Sequence, residues 1–99
     1  MQKFILFYKG PPTPADASHE KWPDWFRKVG HQLVDRGSPM KNGRVLHKDG
    51  STSDSATSFN GYSILQAATL DEALNLLKDH PLLTLDTDEY AIEIFELPV

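Results

Sequence analysis

Four histidines, His19, His31, His47 and His80, are the side chains of this sequence best suited to moving a proton near neutral pH. His80 follows Asp79 directly, and a histidine beside a carboxylate, with a phenol such as Tyr8 in reach, can serve as a general base. The competing reading places His80 as a cap on the last carbonyls of a helix, where a cation is favoured. Asp79 and His80 are therefore the catalytic candidates, and Tyr8, Trp22, Trp25 and His19 the candidates for lining a ligand site. Trp22 and Trp25 stand three apart on one helix. An indole at a cleft edge makes an apolar wall, and core packing or dimer contact is the alternative. Asp16, His19 and Glu20 are metal-ligand types close in sequence. No His-x-x-x-His pair or facial triad accompanies them, so neither a metal nor a cofactor is expected, and exposed helix-start acids account for the cluster. His31 reads as a solvent-edge residue. With Cys 0, disulfides, thiolate chemistry and cysteine-type zinc sites are excluded. The serine-rich stretch 51–58 lacks the glycine pattern of a phosphate cradle.

Whether these groups meet depends on the elements that carry them. Lys3–Lys9 reads as a strand closed by Gly10-Pro11-Pro12. Phe4, Leu6 and Tyr8 fall on one face of it, Ile5 and Phe7 on the other. Thr13-Pro14-Ala15-Asp16 resembles a helix start, and Ser18 is a second candidate cap. Trp22, Phe26, Val29 and Leu33 then recur at helical spacing, which predicts a helix over 18–36 ended by Gly37, with Trp25 at the border of its apolar stripe. Arg44–His47 is a second short strand, Lys48-Asp49-Gly50 a turn, and 51–58 a mobile loop. Gly61–Ala67 is a third strand. Thr69-Leu70-Asp71-Glu72 is a capping box opening a helix whose Leu70, Ala73, Leu74 and Leu77 share one face, stopped by Pro81. Tyr90–Leu97 is the last strand.

The resulting order, β-α-β-β-α-β, is an α+β, ferredoxin-like plan with antiparallel sheet order 4-1-3-2 and both helices on one face. One end of that sheet collects the 10–20 loop, the 48–60 loop and the end of the second helix, and there Tyr8, Asp79 and His80 converge. Strands 1, 3 and 4 are apolar on both faces, and two helices cover only one. The other face would exceed the few hundred Å² of apolar surface that monomers expose. A second copy is the expected cover, giving a homodimer, a dimeric α/β barrel, that buries on the order of 1,200–2,000 Å².

The stretch Gly61–Ala67, then Leu70-Asp71-Glu72-Ala73-Leu74, His80-Pro81 and Ile92-Glu93-Ile94-Phe95-Glu96-Leu97, resembles the YCII-related family, which includes the DGPF-type proteins. Trp25-Phe26-Arg27-Lys28-Val29-Gly30 through Leu33-Val34-Asp35-Arg36-Gly37-Ser38-Pro39 is similar to that family's first helix and following turn. The resemblance implies a ferredoxin-like fold, a dimeric α/β barrel and a bacterial cytosolic setting, without an established reaction. Members carry a proposed active-site pair, a histidine in the first helix and an aspartate before the proline ending the second. Here those positions fall on Phe26 and His80, with Asp79 just before, and the loop reads Asp54-Ser55-Ala56-Thr57 in place of the DGPF motif.

With 99 residues, the chain is one domain, 1–99. No window approaches the ~20 apolar residues of a membrane span, and residues 1–10 are charged too early for a secretory signal. The first 50 residues hold nine Lys/Arg against five acids, and residues 51–99 hold Lys78 against nine acids. The basic residues form no run, and no aromatic–basic pattern of an RNA-binding sheet appears, so no nucleic-acid partner is expected. A dipolar surface that orients two copies, or plain solvated charge, accounts for the asymmetry. Two functions remain open: small-molecule binding, enzymatic or not, in the cleft at the sheet end, and a non-catalytic self-associating or regulatory module.

Overall fold

The computed structural model describes residues 1–11, 21–85 and 87–98, with Lys21 by its backbone alone. Six strands and two α-helices follow in the order β1 (Gln2–Lys9), α1 (Lys21–Val29), β2 (Leu33–Pro39), β3 (Arg44–Leu46), β4 (Thr52–Asp54), β5 (Phe59–Ala67), α2 (Leu70–Leu77) and β6 (Ala91–Leu97). A 3₁₀ turn at Gly30–Gln32 follows α1, and another at Pro81–Thr84 follows α2. The α+β class with an antiparallel sheet and two helices agrees with the sequence reading. Thr13, Asp16, Ser18, His19 and Glu20, read above as helix-start, ligand-site or metal-type residues, lie outside the described residues.

The main sheet is antiparallel in the order β2-β5-β1-β6, and β3 and β4 form a separate two-stranded ladder. This corrects two expectations. The edge strand is Leu33–Pro39, whose first four residues are predicted to end a long helix, whereas Arg44–Leu46 lies outside the sheet. Helix α1 ends seven residues early because Gly30 takes a left-handed φ of 60°, a conformation that stops a helix at little cost for glycine. Gly37 serves β2 instead. Its φ is 80°, and the β2–β5 register shifts between Asp35 and Ser38. The stretch 51–58 is likewise no featureless loop: Thr52–Asp54 pairs with Arg44–Leu46, joined by an Arg44–Asp54 ion pair and by Arg44 donating to the Thr52 hydroxyl at 2.8 Å.

Strand alternation divides the sheet as expected. Phe4, Leu6, Tyr8, Leu65 and Ala67 are buried on the face that packs against Trp25 and Val29 of α1 and Ala73 and Leu77 of α2. Both helices thus cover one face. Trp25, placed at the border of the stripe by spacing alone, is 3% exposed, while Trp22 and Phe26 are only partly buried. On α2, Ala73 and Leu77 face inward, and Leu70 and Leu74 are largely exposed. The capping box forms: the Thr69 hydroxyl accepts from the Glu72 N–H at 3.1 Å, and Glu72 reaches back to the Ala68 N–H. Among the described residues, no helix is long and apolar enough to cross a membrane.

Candidate functional site

His80 sits where α2 gives way to the 3₁₀ turn at Pro81–Thr84, and its conformation follows from that junction. Its N–H donates to the Leu77 carbonyl at 3.0 Å, its carbonyl accepts from Leu83, and Pro81 starts the new turn without needing a donor. The imidazole caps that turn by accepting the Leu82 N–H at Nδ1, 3.1 Å away. A neutral ring whose Nδ1 accepts must carry its proton on Nε2.

Three aromatic rings surround it. Tyr8 of β1 lies with its ring centre 4.9 Å away, and Trp22 and Trp25 of α1 meet it edge-on at 4.6 and 4.4 Å. His80 is 0% exposed. Four of the residues read from the sequence as site candidates therefore come together, and they fill the space between them rather than wall an open cleft. Their own polar groups anchor them: the Trp25 indole N–H donates to the Leu76 carbonyl at 3.1 Å, and the Tyr8 hydroxyl donates to Ser63 Oγ at 2.7 Å. Ser63 Oγ in turn donates to the Arg36 carbonyl at 2.7 Å. That carbonyl belongs to the irregular stretch of β2 created by Gly37, and the Arg36 guanidinium lies 4.6 Å over the Phe26 ring.

The electrostatics follow from burial. Enclosure among rings holds the His80 pKa down at about 3, only slightly opposed by the charge of Asp79, so the imidazole is neutral. That overturns the reading of His80 as a cationic cap. Burial pushes the Tyr8 phenol up to about 12, although its bond to Ser63 pulls the other way. Asp79 is exposed and ion-paired with Lys28, whose hydrogen bond lowers the carboxyl pKa. The neighbours Asp79 and His80 are thus separated, one carboxylate at the surface and one imidazole enclosed. An open groove of about 320 Å³ lies beside them, lined by Asp24, Trp25, Lys28, Asp79, Pro81 and Thr84.

One feature of the enclosed ring is chemically incomplete: among the described residues, His80 Nε2 is buried with no hydrogen-bond partner. The site can offer one donated hydrogen bond in an apolar, aromatic setting. His31 and His47 are exposed, the latter bonded to Ser53 at 2.8 Å, and among the described residues no cluster of three metal-ligand side chains occurs. Ser63 escaped the sequence reading. Its signal was present, since a hydroxyl on the inward face of an otherwise apolar strand must find a partner. Comparisons with protein-family models, curated proteins and solved structures find no match for this chain.

Proposed function

We propose that this chain is a self-associating, non-catalytic module of the ferredoxin-like kind, two copies of which pair their open sheet faces into a dimeric α/β barrel. The observation that carries this reading is the sheet face opposite the helices. Ile5, Phe7, Phe59, Tyr62, Ile64 and Phe95 lie there, with Phe7 stacked on Phe59 at 4.8 Å and edge-on to Phe95 at 6.0 Å. Phe95 is 49% exposed. An apolar face of this breadth marks an interaction surface. The sheet order, counted over its four strands as second, third, first, fourth, supports the ferredoxin-like reading. The YCII-related resemblance and its cytosolic setting belong to the same proposal.

Light scattering at tens of micromolar is expected to give twice the 11.1 kDa chain mass. Phe7→Glu, at the centre of the aromatic cluster, is expected to halve that mass with an unchanged far-UV circular dichroism spectrum, because the charge falls on the open face and not in the core. A native chain that runs as a monomer overturns the reading.

A second reading, small-molecule binding at the sheet end with His80, Asp79, Tyr8, Trp22, Trp25 and His19 as the site, is favoured by the His80 Nε2–H, which has no partner among the described residues. A ligand that accepts that proton should raise the melting temperature of the native chain and leave His80→Phe unmoved. Equal stabilisation of both chains removes it.

A further inference from the structure

Between β2 and β5 the chain leaves the body as an arm. Every residue from Lys41 to Asp54 is exposed, Leu46 at 73%. The arm is the outer end of one ribbon that begins as the β2–β5 pair. Pro39 lies opposite Gly61, the Met40 N–H donates to the Asn60 carbonyl at 3.1 Å, and Ser55 donates to Gly43 before the Arg44–Asp54 ladder takes over. It closes at a tight turn, where Gly50 donates to the His47 carbonyl and Asp49 accepts from Ser51. The arm lengthens the molecule: the radius of gyration is 14.7 Å, against ~13 Å for a compact chain of this size.

A two-stranded hairpin with an exposed leucine is marginal on its own in water. Resting on the sheet-face pairing above, we infer that the arm of each copy closes over the second copy, at the end of the sheet where β1 finishes and β6 begins. Area is the first reason. The sheet face spans roughly 19 Å across four strands and 25 Å along them, hence about 1,000 Å² in total from two copies. That falls short of the ~1,200–2,000 Å² of a stable interface. The two arms supply the remainder, with Leu46 as their apolar contact.

Symmetry and charge are the second and third reasons. A two-fold axis parallel to the strands sets each β2 over the other copy's β6, so an arm leaving β2 arrives at the corner that contains Asp88 and Glu89. Residues 79–99 hold six acids and no Lys or Arg, whereas the arm, 40–58, carries Lys41, Arg44 and Lys48 against Asp49 and Asp54. Lys41, at the base of the arm, is the charge set to meet that corner. The arm thereby decides which copy-to-copy orientation forms, a task that complementary charge performs better than apolar area.

The test measures the dimer dissociation constant by sedimentation at low salt for the native chain, Leu46→Asp, Lys41→Glu, Glu89→Lys and the Lys41→Glu/Glu89→Lys double variant. Leu46→Asp and each single charge reversal should raise the constant about tenfold or more, and the double variant should recover most of the loss. All three positions are exposed, so the monomer fold is retained. The chain has no cysteine, so a spin label on Leu46→Cys reports this site alone. It should be immobilised in the dimer and freed on dilution. A dimer indifferent to Leu46→Asp, a charge pair without recovery, or a label mobile in the dimer each overturns the arm contact and leaves the sheet-face dimer standing. A native chain that is monomeric overturns both.

Discussion

Acidification from neutrality to pH 5 is expected to cost this protein about 2 kcal/mol of folding stability through His80 alone. The imidazole titrates near 6.5 in the unfolded chain and near 3 when enclosed by Tyr8, Trp22 and Trp25. A histidine with a depressed folded pKa binds its proton more readily unfolded. Its stabilising contribution is complete above pH 6.5 and is lost progressively as the pH falls toward 3. Urea titrations at pH 7, 6 and 5 should show the midpoint dropping at constant slope. His80→Phe removes the titrating group and keeps an aromatic ring in the enclosure. It also leaves the Leu82 N–H without its acceptor, which costs about 1 kcal/mol at every pH. Its midpoint should therefore start lower and stay flat across this window. Asp79 and Asp49, whose pKa values are lowered by Lys28 and Ser51, add acid sensitivity only as the pH falls through the ordinary carboxylate range and beyond it, beneath the pH 5–7 window. A native chain as stable at pH 5 as at pH 7 would mean that water reaches the ring and that the enclosure opens.

Gly37→Ala is expected to destabilise the fold by about 3 kcal/mol or more, lowering the melting temperature by roughly 12–24 °C. Two costs combine. The residue holds φ 80°, which a side chain tolerates poorly, and a Cβ built there overlaps the carbonyl oxygen of Tyr62 on the neighbouring strand. Relief requires β2 to move away from β5, which withdraws the Arg36 carbonyl from Ser63 and with it the chain that starts at Tyr8. Gly30→Ala is the control. It has φ 60° and nothing within 4 Å of the added carbon. It should cost only the left-handed conformation, about 1 kcal/mol. The difference between the two variants measures how tightly β2 is held against β5, and hence how firmly the His80 enclosure is roofed. Equal losses would show that the close approach at Gly37 relaxes freely.

Much of the architecture was legible locally. Period-two alternation in Lys3–Lys9 and Gly61–Ala67 placed Phe4, Leu6, Leu65 and Ala67 inward because neighbouring strand residues must point oppositely. Thr69 and Glu72 marked the start of α2 because their side chains satisfy donors only a few residues away. The aromatic content of both faces of β1 also foretold an open apolar face. Leu33–Pro39 was misread because Leu33 continues the helical spacing of Trp22, Phe26 and Val29. Gly30 breaks the helix between them, and pairing with β5 then decides the outcome.

Local sequence sets the elements whose causes lie within a turn or a strand, and with them which of Tyr8, Trp22, Trp25, Asp79 and His80 are near one another in the chain. What His80 is depends on packing between distant segments. The same Asp79-His80 dipeptide serves equally as an exposed acid–base pair or as a surface ion pair beside an enclosed neutral ring. The difference is set by Trp25, wedged from α1 onto the Leu76 carbonyl, and by Tyr8, reaching in from β1. Desolvation depends on every neighbour at once, and those neighbours come from segments more than fifty residues apart.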